Sequence, residues 1–95
     1  MIRVRIRPRL LKTARGLTQA EVAEVNAAIA AAQENFGQPH LHAGVGLRKL
    51  GRRSYEVRAG LDHRVVFVLE SGELIAHDIM DHNQIRQWLK GRKGC

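Results

Sequence analysis

An α+β domain is the fold class this sequence predicts, and three patterns predict it. Residues 2–7 alternate apolar side chains with arginine, residues 18–36 repeat apolar positions every three or four, and four strand-like segments follow from residue 45 with short turns between them. A helix therefore precedes most of a sheet. The expected arrangement is a single small domain over residues 1–95: an antiparallel four-stranded sheet packed by a long N-terminal helix, with a short C-terminal helix on the other face.

In residues 2–7, Ile2, Val4 and Ile6 share one side and Arg3, Arg5 and Arg7 the other, the pattern of a strand with one face on the core. The arginine row either extends a polyanion-binding face or solvates an edge strand against aggregation. Pro8 ends the strand, and residues 10–16 form a short helical turn or a linker. Thr18-Gln19-Ala20-Glu21 has the form of a capping box, in which Thr18 accepts from the backbone of Glu21 and Glu21 reaches back. In the helix that follows, Val22, Val25, Ile29, Ala32 and Phe36 make the stripe that covers the sheet. Gly37 suits a left-handed cap and Pro39 blocks continuation, so the helix ends near Phe36.

Segments 45–50, 55–59, 63–70 and 73–79 are strand-like, separated by Gly51-Arg52-Arg53-Ser54 and Ser71-Gly72 among other turns. Short connections favour antiparallel pairing and a meander. Segment 63–70 carries Val65, Phe67 and Leu69 toward one face and Val66 and Val68 toward the other, so it is central and covered twice. The last helix starts after Asp81 as N-cap, with Gln84 at its third position, and buries Ile85, Trp88 and Leu89. Being short, it leaves the Arg64 end of its face open. On the neighbouring strand Tyr55, Val57 and Ala59 point one way and Glu56 and Arg58 the other, which lets Glu56, Arg58 and Arg64 share one groove.

Sixteen basic residues against 9 acidic ones give a net charge of +7 and a pI near 10.8. That balance favours a polyanionic partner, nucleic acid first. Twelve of the basic residues are arginine, whose planar fork suits bidentate phosphate contact. The single cysteine, Cys95, excludes a disulfide framework and a cysteine-based metal site, and fits a reducing, cytoplasmic setting. The longest apolar runs, 27–32 and 65–69, fall far below the ~20 residues needed to cross a bilayer, so no membrane association is expected.

A metal-free ribonuclease must take a proton from a ribose 2′-hydroxyl, stabilise a crowded phosphorane and protonate the departing 5′-oxygen. Arginine serves only the middle task. The titratable candidates near the groove are Glu56 and His82, with His63 and Asp62 behind them. Taken alone, these residues read first as a surface ion pair of Glu56 with Arg58 or Arg64 beside a helix-starting histidine; read as a nuclease site, one of Glu56 and His82 acts as base and the other as acid, and Arg58 and Arg64 clamp the phosphate. No metal and no cofactor are expected. The potential ligands of His77-Asp78-Ile79-Met80-Asp81-His82 are scattered by a strand-to-helix junction, and His40 and His42 lie solvated in a Pro-flanked loop. Gly44-Val45-Gly46 precedes a strand where a phosphate loop needs a helix. Trp88 and Phe67 sit on core stripes, whereas Arg86 is free to reach phosphate.

Tyr55-Glu56-Val57-Arg58-Ala59-Gly60, Arg64-Val65-Val66-Phe67, His82-Asn83-Gln84-Ile85-Arg86-Gln87-Trp88-Leu89-Lys90 and Gly46-Leu47-Arg48-Lys49-Leu50 together resemble the RelE/ParE toxin superfamily over residues 40–90. The resemblance implies a β-α-β-β-β core and roles in the site for Glu56, Arg58, Arg64 and His82. It also implies RNA contact by Arg48 or Lys49, a cognate antitoxin, and cleavage of mRNA on the ribosome. The RelE branch often carries lysines where this chain has Glu56, and a C-terminal tyrosine this chain lacks. The histidine-bearing branch shows His-Asp-Glu where this chain has His82-Asn83-Gln84, leaving Asp78 or Asp81 to orient His82. The expected function is the toxin of a type II toxin–antitoxin pair, a ribosome-dependent endoribonuclease. The alternatives are a ParE-like DNA gyrase inhibitor without a catalytic site and a non-toxic basic nucleic-acid-binding module. The oligomeric state is left open.

Overall fold

A computed structural model describes residues 1–92; Cys95, on which the expectation about thiolate sites rests, lies outside them. The elements run β1 (Val4–Ile6), α1 (Pro8–Ala14), α2 (Gln19–Asn35), α3 (Pro39–His42), one 3-10 turn (Ala43–Val45), β2 (Leu47–Lys49), β3 (Ser54–Ala59), β4 (His63–Glu70), β5 (Glu73–Met80) and α4 (His82–Lys90).

The meander is present: β2, β3, β4 and β5 pair antiparallel in succession. The sheet is nevertheless five-stranded and mixed, in the order β1-β5-β4-β3-β2, which corrects the four-stranded antiparallel expectation. The meander leaves one free edge at β5 and another at β2. β1 closes the first, parallel to β5, with Val4 opposite Leu74 and Ile6 opposite Ala76. A parallel neighbour needs a long connection, and nothing local in residues 2–7 says which distant edge they join.

Residues 8–14 form a helix rather than a linker. Proline is tolerated at the first helical position because its missing N–H has no partner there, so Pro8 both ends β1 and opens α1. The helix packs on β5 and buries Leu10. Pro39 repeats the device by opening α3, which places His40 and His42 on a helix rather than in a loop. β2 is shorter than residues 45–50, since Val45 belongs to the 3-10 turn.

Both capping boxes form as expected, Thr18 with Glu21 and Asp81 with Gln84. Gly37, at φ 90°, follows the Phe36 cap of α2. The main core lies between the helices α1 and α2 and one face of the sheet, joining Leu10, Val25, Ala28 and Ala32 to Val57, Val65, Phe67, Leu74, Ala76 and Ile79. Alanines on α2 let the helix approach the sheet closely. On the opposite face Val66, Met80 and Ile85 form a smaller cluster flanked by Leu50, Trp88 and Leu89. β4 is thus central and covered twice, with Val65, Val66 and Phe67 fully buried. Ile6, expected to face the core, is 46% exposed at the end of the edge strand.

The arginines of the first strand are engaged locally. Arg3 and Arg5 lie 3.7 and 3.6 Å from Glu73, and Arg7 lies 3.3 Å from Glu70. These contacts hold β1 to the β4–β5 hairpin, which favours the edge-strand reading of that row. Among the described residues no helix is long and apolar enough to cross a membrane.

Candidate functional site

Residues directly opposite in an antiparallel pair share a face. Arg48 lies opposite Glu56, and Glu56 opposite Val66. One step further along, Arg58 lies opposite Arg64, and Arg64 opposite Met80. Val66 and Met80 belong to the cluster under α4, so Arg48, Glu56, Arg58 and Arg64 lie on that same face. The helix covers Val66 and Met80, with Leu50 beside them, but contributes no residue to the Arg48–Arg58 side of that face. A groove of about 640 Å³ remains there, lined by Arg48, Glu56, Arg58 and Arg64 with Gly44, Val45 and Gly46 among its other walls.

Glu56 is the buried charge of the groove, its side chain 8% exposed. Its Oε2 lies 2.8 Å from Arg64 Nε, and its Oε1 lies 4.0 Å from Arg48 Nε. The Arg64 N–H is not aimed along the short contact, so the pair is a charge contact and Oε2 is buried without an aligned hydrogen bond. We therefore read the attraction as electrostatic. Arg58 has no ion-pair partner among the described residues, although it faces Arg64 directly. Like charges opposite each other destabilise a sheet. Three guanidiniums around one carboxylate leave the groove with a net positive charge suited to an anion such as phosphate.

The other expected site residues fall outside this groove. Lys49 is exposed and pairs with Tyr55, a strand position on the main-core face; the period of two that directs Arg48 into the groove directs Lys49 away from it. His82 is exposed in the first turn of α4 and does not line the groove. It stands two residues beyond Met80, the partner of Arg64, and so at the groove's end of the sheet. Arg86 is exposed on α4 and likewise does not line the groove.

Neither carboxylate expected to orient His82 hydrogen-bonds to it among the described residues. Asp81 accepts from the Gln84 backbone N–H. Asp78 accepts from Thr13 Oγ1 at 2.6 Å, Arg9 Nε at 3.0 Å and the Ile79 N–H at 2.8 Å. Its energy goes into fastening α1 to β5 at an irregularity in the β4–β5 register.

The wall built by residues 43–46 was not anticipated. Gly44-Val45-Gly46 does precede a strand, yet a 3-10 turn brings it over the groove, and Gly46 leaves that turn at φ 73°, where a side chain would be strained. The two glycines were its only visible signal. Trp88 is engaged by His77, ring centroids 5.2 Å apart, and by the Arg92 guanidinium at 4.5 Å. Base stacking on Trp88 would displace these partners. Among the described residues no three His, Cys, Asp or Glu side chains converge as metal ligands.

The fold is similar to that of solved RelE and YoeB structures. The RelB–RelE antitoxin–toxin complex from Methanococcus jannaschii matches with a TM-score of 0.65 at 12% identity, covering 88% of this chain and 96% of that one. The YoeB dimer from Staphylococcus aureus matches at 0.62 and 17% identity, covering 85% and 97%. The archaeal RelE–RelB complex from Pyrococcus horikoshii matches at 0.62 and 17%, covering 87% and 97%. No family model matches the sequence, and no curated protein matches it.

Proposed function

We propose that this protein is the toxin of a type II toxin–antitoxin pair and acts as a metal-independent, ribosome-dependent endoribonuclease that cleaves mRNA and stops translation. The observation that carries the reading is a buried carboxylate, Glu56, ringed by Arg48, Arg58 and Arg64 in a groove on a RelE-like fold. In this reading Glu56 takes the proton from the ribose 2′-hydroxyl as the 2′-oxygen forms its bond to phosphorus. Arg58 and Arg64 hold the phosphate and offset the charge of the phosphorane. The bond to the 5′-oxygen then breaks, and His82 protonates the departing oxygen. Arg48 lies along the entering strand, and Lys49 and Arg86 make outlying contacts with RNA or ribosome. Groups of this kind typically contribute ~10²- to 10⁴-fold each, so positioning on the ribosome supplies much of the rate.

The cognate partner in this reading is an antitoxin, as in the M. jannaschii and P. horikoshii complexes, and its acidic residues would meet the basic groove face. Co-expression with a small acidic protein encoded beside this gene should yield a stable complex and relieve toxicity.

Primer extension on a defined mRNA, with and without ribosomes, tests the activity. Wild type should cut, and Arg64→Ala and His82→Ala should not. A second reading, a ParE-like gyrase inhibitor without catalysis, is favoured by one observation: His82 stands outside the groove without an orienting carboxylate. Absence of cleavage with inhibition of gyrase supercoiling would establish that alternative.

A further inference from the structure

We infer that Glu56 sets how tightly the groove holds a phosphodiester by competing with it for Arg64. The inference rests on reading the groove as a phosphate site and adds a role for Glu56 before any chemistry. The Arg64 side chain is 22% exposed, and its Nε lies 2.8 Å from Glu56 Oε2. A guanidinium binds an oxyanion best through two parallel N–H bonds, and the unaligned contact here leaves that capacity unused. Directly across the strand pair Arg58 stands without an ion-pair partner among the described residues.

A phosphate bridging Arg58 and Arg64 would turn Arg64 away from Glu56. The Glu56 backbone is held in β3 between β2 and β4 and its side chain is only 8% exposed, so the carboxylate stays buried when Arg64 turns away. Its remaining cationic neighbour is Arg48, 4.0 Å away. A charge left buried with weaker compensation opposes the exchange. Binding an anion therefore costs the groove its internal ion pair, which keeps affinity for arbitrary nucleic acid low and eases release of a cleaved strand.

The test uses the full chain and a fluorescently labelled, all-2′-deoxy oligonucleotide, which has no 2′-hydroxyl to attack the phosphate. Anisotropy at low salt is measured for wild type, Glu56→Gln, Arg64→Gln and the double variant, with thermal melts to confirm folding. Glu56→Gln should tighten binding about tenfold, because Arg64 then takes the phosphate without giving up an ion pair to a carboxylate left buried. In the Arg64→Gln background the same change should tighten it by less than about threefold, as expected when the two side chains are coupled. Unchanged or weaker binding by Glu56→Gln overturns the inference, and so does an equal tightening in both backgrounds. If Glu56→Gln does not fold, Glu56→Asp withdraws the carboxylate from Arg64 and should tighten binding by a smaller factor; no tightening there overturns the inference too. Wild type that binds the oligonucleotide but never cuts mRNA overturns the ribonuclease reading alone. Wild type that cuts mRNA while Glu56→Gln binds no more tightly overturns the competition alone.

Discussion

Replacing Asp78 separates a structural clamp from a catalytic support. Its Oδ1 takes both Thr13 Oγ1 and the Ile79 N–H, while Oδ2 takes Arg9 Nε. Asp78→Asn keeps an oxygen for the first two and loses the charge toward Arg9. Arg9 is 66% exposed, so screening limits that loss to about 1 kcal/mol. Asp78→Ala removes all three interactions at a residue only 8% exposed. Two further hydrogen bonds at about 1 kcal/mol each bring its cost to about 3 kcal/mol. That is a large share of the ~5–15 kcal/mol stability of a small domain. Urea unfolding at neutral pH should therefore rank wild type above Asn and Asn well above Ala, with hydrogen exchange in α1 accelerated most in Ala. Because its carboxylate is spent on α1, Asp78→Asn should, under the proposed ribonuclease function, retain close to the wild-type cleavage rate. Equal stability of Asn and Ala would refute the clamp. A stably folded Asp78→Asn that no longer cuts would show that Asp78 supports the chemistry after all.

Burial holds His77 toward its neutral form, and the nearby Arg7 and Arg9 guanidiniums add to the effect. Arginine only donates, so the 3.2 Å contact from Arg7 makes His77 Nδ1 an acceptor and places the proton on Nε2. The native state resists protonation that the unfolded chain accepts below about pH 6.5, so stability conferred by neutral His77 is complete above that pH. It should decline as pH falls from there toward the lowered native value. Trp88, the sole tryptophan, sits beside His77 and should report the loss by fluorescence; His77→Gln should flatten that part of the profile. Phe67→Ala, at a fully buried position of the central strand, should cost about 3–5 kcal/mol in urea unfolding; a loss below 1 kcal/mol would contradict the packing described. Gly60 adopts φ 73°, and a methyl group there would meet the Glu24 carboxylate. Gly60→Ala should destabilise by about 1 kcal/mol or more, with part of the loss recovered on Glu24→Ala.

Local patterns carried much of this fold. Both capping boxes, the stop at Phe36 and the doubly covered β4 follow from residue types at fixed spacing, because caps and strand alternation are short-range. The same alternation put Glu56, Arg58 and Arg64 in one groove, since antiparallel neighbours keep their faces in step. Three other features depend on elements far apart in the chain. β1 joins β5 across about seventy residues, and only the edge left free by the meander decides that pairing. The commitment of Asp78 to α1 depends on where that helix lands on β5. The distance of His82 from the groove depends on how α4 settles over Val66 and Met80. The sequence by itself determined the elements and the faces of their side chains, because those follow from backbone periodicity. Which faces meet, and which charges are spent on holding them together, was decided only when distant segments packed.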